Sequence, residues 1–87
     1  MVEIHSQKVI TGIVMNVGNK ADTLNVYGWD ESTGAWVLIE GVSTATSYSN
    51  KTVTMPAGTS YTKLKLDVEG ANQVRIKDMT INIDVNS

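Results

Sequence analysis

The strongest constraint on the fold is the stretch of residues 22–42, DTLNVYGWDESTGAWVLIEGV, which contains both tryptophans. Two runs rich in β-branched, aliphatic and aromatic residues flank the segment 30–34, whose residues favour turns. Gly34 can adopt the positive φ that the loop of a β-hairpin requires. This pattern predicts a β-hairpin.

The rest of the chain continues the same rhythm of short strands and turns, without helical periodicity. Turn formers occur at 18–20, 56–59 and 69–72. We predict a single domain over residues 1–87, with an all-β fold: a small antiparallel β-sandwich or jelly roll of about six or seven strands. The expected strands lie at 7–17, 22–29, 35–42, 48–55, 60–69 and 73–85, and a short seventh is considered at 2–5.

Alternation of apolar and polar residues indicates which faces are buried. In the first long strand one face carries Ile13, Met15 and Val17. The opposite face carries Ile10, Val14 and Asn16, so cover on both sides of this strand is considered. In the last strand the apolar residues change parity after Ile76. A β-bulge at Lys77-Asp78 would restore one buried face, because an extra residue shifts the phase of all that follow. The alternative is that the two halves of this strand face different layers. The side chains predicted to point inward elsewhere are Leu64, Leu66, Val68, Val53 and Met55.

The register of the hairpin decides which aromatic residues are exposed. A five-residue loop at 30–34 pairs Trp29 with Ala35 and Gly28 with Trp36. A six-residue loop would instead put both tryptophans on one face. In the five-residue register the core face carries Leu24, Val26, Trp36 and Leu38. The opposite face then carries Asn25, Tyr27, Trp29, Val37 and Ile39.

Tyr27 and Trp29 form the candidate binding feature, since they stand two residues apart on the outward face. Exposed aromatic rings can stack on the apolar face of a sugar, and Asn25 or Asp30 would hydrogen-bond its hydroxyls. The alternative is structural: neighbouring aliphatic side chains join the aromatic rings in a second apolar layer, under a loop or against another subunit.

Composition and missing motifs argue against catalysis and membrane insertion. The 87-residue chain has a formal net charge of −2 and lacks cysteine, which excludes thiolate chemistry. His5 is the only histidine, and neither catalytic nor phosphate-binding motifs are present, so we predict that the protein is not an enzyme. No apolar run approaches the length that spans a membrane.

Nucleic-acid binding is not expected either. Lys63, Lys65, Arg75 and Lys77 would form a basic stripe if the last two strands were neighbours. Exposed aromatic residues do not interleave with this stripe, Tyr61 apart, and a solvated sheet face explains it more simply.

Three segments resemble the later part of galactose-binding-like jelly-roll modules: residues 24–42, 48–70 and 73–83. They carry a hairpin with Trp after the turn, a Tyr-Lys-hydrophobic strand after the Pro-Ala-Gly turn at 56–58, and a closing strand with apolar residues around Asp78. Such modules are accessory domains of secreted bacterial glycosidases, adhesins and anchored surface proteins, notably in gut Bacteroidetes.

The resemblance implies a non-catalytic carbohydrate-binding or adhesion module of an exported bacterial protein, secreted or at the cell surface, with a glycan as partner. The alternative is a structural or spacer domain that positions a neighbouring catalytic or anchoring domain and has no small-molecule ligand. Several of these modules hold a structural calcium, for which the resemblance implies Asp78 and Glu3 as ligands. The second acidic residue usual in the closing strand is Lys77 here. No other cofactor is implied.

The expected strand count is below the eight of a complete jelly roll, so one sheet edge is expected to lack a neighbour. A homodimer through this edge, near Val37 and Ile39, would cover it. The alternative is that the N-terminal segment 2–17 folds across the edge.

Overall fold

The computed structural model describes residues 2–86. Segments rich in β-branched, aliphatic and aromatic residues form seven antiparallel strands in two sheets. The four-stranded sheet has the order β1-β6-β3-β4, and the three-stranded sheet has the order β5-β2-β7. The predicted all-β sandwich is confirmed, including the short strand at 2–5. No helix able to span a membrane occurs within residues 2–86. The strands are β1 (Val2–His5), β2 (Ile10–Gly18), β3 (Thr23–Asp30), β4 (Ala35–Ser43), β5 (Ser49–Thr54), β6 (Lys63–Val68) and β7 (Arg75–Ile83).

Aliphatic and methionine side chains from both sheets fill one core. Alternation places Leu64 and Leu66 of β6 at the centre of this core, at 0% and 1% exposure, as predicted. The fully buried hydrophobic residues include no aromatic residue among those that the structure describes. The core consists of Ile4, Ile10, Ile13, Met15, Val17, Leu24, Val26, Val42, Val53, Met55, Leu64 and Leu66.

Two bulges adjust the pairing of β2 with β7. The predicted bulge at Lys77 is confirmed, since Asn16 pairs with Asp78 and Val17 with Ile76. The apolar residues on both sides of that bulge, such as Ile76 and Met79, therefore pack on the same core. At the other end of β2, Ile10 pairs with Ile83 and Gly12 with Asn82. The intervening residue turns Ile10 into the core beside Ile13, so its assignment to the opposite face was wrong.

The N-terminal strand forms one edge of the four-stranded sheet. Residues Val2–His5 pair with β6, and Ile4 lies opposite Leu64. These residues give β6 a second neighbour, but they do not pair with the edge near Val37 and Ile39, for which cover by the N-terminal segment was considered. Strand β4 forms the other edge, where Val37 and Leu38 are 39% and 55% exposed. A homodimer through β4 stays a prediction.

Asp22 joins the start of β3 to the loop between β6 and β7. Its carboxylate accepts hydrogen bonds from the backbone N–H groups of Thr23 at 2.7 Å, Gly70 at 3.1 Å and Asn72 at 3.3 Å. The side-chain amide of Asn72 donates a further bond at 3.0 Å. These bonds, that from Thr23 first, hold the pKa of Asp22 below its ordinary value.

We expect Asp22→Asn to lower the midpoint of thermal unfolding at pH 7. The amide nitrogen that replaces one carboxylate oxygen cannot accept the hydrogen bonds that the backbone N–H groups donate. The lowered pKa in the folded state means that the ionised carboxylate stabilises the fold above the ordinary pKa near 3.8. That contribution is lost as the pH falls through the folded-state pKa, so the difference between the two proteins should shrink in acid. Thermal unfolding of both from pH 7 to pH 2 measures this. Glu69→Gln, in the same loop, is the matched control, and an equal loss there would contradict the role of Asp22.

Candidate functional site

The hairpin between β3 and β4 has a loop of four residues, 31–34, and pairs Trp29 directly with Trp36. The backbone N–H of Gly34 donates to the carbonyl of Asp30 at 2.8 Å, and Gly34 has the positive φ that was predicted, at 66°. The five-residue register was wrong. The alternative that puts both tryptophans on one face is observed, with one further pair between Asp30 and Ala35.

This register moves Trp36 and Leu38 from the predicted core to the outer face of the sheet. Trp36 is half-buried there and Leu38 is 55% exposed. A bulge at Ile39 then changes the parity of β4 again, since Leu38 pairs with Tyr27 and Glu40 with Val26. Ile39 packs against the core, so its assignment to the outward face was wrong as well.

Three aromatic rings and two ammonium groups meet on the outer face of the four-stranded sheet. The rings of Trp29 and Trp36 meet edge to face, with centroids 5.1 Å apart and planes at 68°. Lys63 Nζ lies 4.5 Å from the centroid of Trp29 and 5.6 Å from that of Trp36. Lys65 Nζ lies 4.6 Å from the centroid of Tyr27 and 5.0 Å from that of Trp36. We call these five residues the aromatic–lysine face.

The pairing of β3 with its two neighbours produces this arrangement. Strand β3 lies between β4 and β6, and Tyr27 is directly opposite Lys65 of β6. Side chains two residues apart share a face, which places Trp29 beside Lys63. Cross-strand neighbours of this kind lie within contact distance of long side chains, and an ammonium over an aromatic ring is attracted by its negative face.

The two lysines of this face have no acidic partner within residues 2–86. Neither Lys63 nor Lys65 forms an ion pair with a described carboxylate. Glu3 of β1 is in register with Lys65, yet its carboxylate oxygen lies 3.8 Å from Nε2 of His5. The ammonium N–H groups are therefore available to acceptors from outside the chain.

Of the four residues predicted to bind a ligand, Tyr27 and Trp29 belong to the aromatic–lysine face. Asn25 lies two residues before Tyr27 on the same side of β3 and is in register with Asp67. Asp30 turns to its own loop, where its carboxylate accepts hydrogen bonds from the hydroxyl of Ser32 at 2.6 Å and from the backbone N–H of Ser32 at 3.0 Å. The hydrogen bond from the hydroxyl, and next that from the backbone N–H, lower the pKa of Asp30. Its carboxylate therefore stabilises the turn.

Sequence reasoning missed Trp36, Lys63 and Lys65 as members of this face. The basic stripe that was considered for neighbouring last strands does not form, because Arg75 and Lys77 lie on β7 of the other sheet. The expectation that aromatic residues do not interleave with the lysines was also wrong for β6. One signal was available in the sequence: alternation in β6 already places Lys63 and Lys65 on the outer face. A hairpin loop with an even number of residues places Trp36 on that face as well.

The two predicted calcium ligands lie on different sheets, Glu3 on β1 and Asp78 on β7. The carboxylate of Asp78 accepts a hydrogen bond from the backbone N–H of Met79 at 2.9 Å. Residues 2–86 contain no group of three or more His, Cys, Asp or Glu that could hold a metal ion. The structure thus supplies no ligand set for the calcium prediction in the part of the chain it describes.

Comparisons of the chain with protein-family models, curated proteins and solved structures found no match. The fold defines the class as a small all-β sandwich. Any assignment of function therefore depends on the chemistry of the aromatic–lysine face, together with the resemblance carried by the sequence.

Proposed function

We propose that this chain is a non-catalytic carbohydrate-binding or adhesion module of an exported bacterial protein, and that the aromatic–lysine face binds the glycan. The observation that carries the proposal is the direct pairing of Trp29 with Trp36 on the outer face of the sheet. Two indole rings at 68° form a corner in which one ring can stack under a sugar while the other contacts its edge.

The electronic structure of aromatic rings favours this kind of ligand. The face of an indole ring is negative, and the C–H bonds on the apolar side of a pyranose carry partial positive charge. Lys63 and Lys65 add N–H donors for hydroxyl groups at the margin of the rings. Each ammonium is carried on a flexible four-carbon stem, so it can move aside from a ring and still reach a bound sugar.

The composition of the core supports a binding role for the aromatic residues. The buried hydrophobic residues are aliphatic or methionine, so neither tryptophan is needed to fill the core. A cluster of three aromatic rings on an outer face is the kind of surface that marks an interaction site. The resemblance to galactose-binding-like accessory modules supports a glycan as ligand and a secreted or cell-surface location.

The test is a glycan array at high protein concentration, followed by titration of each hit against Trp29→Ala and Trp36→Ala. We expect each substitution to weaken binding by about tenfold or more, because central aromatic contacts typically carry over 1 kcal/mol. Far-UV circular dichroism of each variant checks that the fold is intact.

Tyr48→Ala is the matched control for this test. Tyr48 is 39% exposed and lies under Lys77, whose Nζ is 4.9 Å from its ring centroid, outside the aromatic–lysine face. Its substitution should leave binding unchanged. Absence of any bound glycan would support the spacer-domain alternative, and full binding by both tryptophan variants would place the site elsewhere.

A further inference from the structure

We infer that the aromatic–lysine face selects anionic saccharides, those that carry a carboxylate or a sulfate, over neutral ones. This inference rests on the proposed function and names its ligand class. Along the face, cations alternate with rings: each ammonium lies between two aromatic residues, within 4.5–5.6 Å of their centroids. A neutral sugar would use the rings and leave both positive charges without a counter-ion.

The surroundings of the lysines strengthen their attraction for an anion. Lys63 and Lys65 are both half-buried, and the Nζ of each lies over an aromatic ring. A charge in such a position is less screened by water than one at the end of a fully exposed side chain. Neither ammonium is neutralised by a described carboxylate. A carboxylate or sulfate beside the indole rings would accept charge-assisted hydrogen bonds from the two ammonium groups.

The charges around the face favour a short acidic saccharide over a long polyanion such as a nucleic acid. Glu3 and Asp67 lie on the same outer side of the sheet as Lys65, one across the strand pair and one further along β6. The whole chain has a formal net charge of −2. A phosphate backbone crossing the sheet would have to pass both carboxylates, whereas a short ligand on the rings of β3 and β4 would lie on the side of Lys65 that faces away from Glu3.

The experiment compares pairs of probes that differ only in charge. The first pair is a galacturonic acid hexasaccharide and its full methyl ester, and the second is a heparin-derived hexasaccharide and its desulfated, N-acetylated and carboxyl-reduced form, which carries no charge. Calorimetric titrations of wild type are carried out at low and high salt. We expect at least one charged probe to bind about tenfold or more tightly than its neutral counterpart, with weaker binding at high salt.

The double variant Lys63→Gln/Lys65→Gln should lose this preference and bind charged and neutral probes alike. Arg75→Gln/Lys77→Gln, which removes two cations from the other sheet, should keep it. Binding of neutral glycans with no preference for either charged probe would overturn the inference and leave the proposed function standing. Binding of no saccharide, on the array or here, would overturn both. Equal or tighter binding of oligothymidylate would assign the face to nucleic acid instead.

Discussion

Replacing Leu64 with alanine should lower the free energy of unfolding by about 2–5 kcal/mol, the range for buried leucines that leave a cavity. Leu64 is 0% exposed and lies in β6, between Ile4 of β1 and Gly28 of β3. Because neighbours on both sides are fixed by strand pairing, the structure has little freedom to collapse into the space. The total free energy of unfolding of a native protein is about 5–15 kcal/mol, so this one change removes a large part of the stability.

Urea denaturation followed by tryptophan fluorescence measures the effect, and Leu38→Ala is its matched control. Leu38 is the same residue type at 55% exposure, so its truncation should change the free energy by about 0.5 kcal/mol or less. The pair of variants also tests the hairpin register, since a five-residue loop would put Leu38 in the core. Similar losses in the two variants would contradict the register described above.

Replacing Gly28 with alanine should destabilise the protein by about 1–3 kcal/mol through overpacking. A β-carbon at this position would lie 2.7 Å from ring carbons of Tyr61, which packs against the core. In a strand, alanine is otherwise favoured over glycine by about 0.5–1 kcal/mol because glycine loses more conformational freedom on folding. The contact with Tyr61 therefore decides the sign.

A double-mutant cycle with Tyr61→Ala isolates this contact. Once the ring is absent, Gly28→Ala should be neutral or slightly stabilising relative to Tyr61→Ala alone. Equal destabilisation in both backgrounds would mean that the strain lies in the β3 backbone. Chemical denaturation of the four proteins under identical conditions provides the comparison.

The strands and most of their buried faces could be predicted from sequence, because these depend on local patterns. The alternation of leucine with lysine in β6 fixes its faces without knowledge of its neighbours. The bulge at Lys77 could also be predicted, since two apolar series of opposite parity occur within one strand. In each case the signal lies within a few adjacent residues.

The composition of the site could not be predicted, because it depends on pairing between distant segments. The parity of Trp36 follows from whether the loop has an odd or even number of residues, and turn formers alone do not distinguish these cases. The bulge at Ile39 involves an apolar residue within an apolar run, so no change of pattern marks it. Lys63 and Arg75 belong to consecutive strands, yet the chain crosses between sheets after β6.

The sequence in which the strands fold depends on pairing between segments that lie far apart in the chain. Ile4 of β1 lies opposite Leu64, and Ile13 of β2 lies opposite Ile81 of β7. Contacts between residues so far apart in sequence form slowly, because the loop must close before any of its pairs contribute, and small all-β domains typically fold in milliseconds to seconds. During synthesis β2 gains its second neighbour only after β7 has left the ribosome, while the β3–β4 hairpin, with both tryptophans, can form from local contacts beforehand.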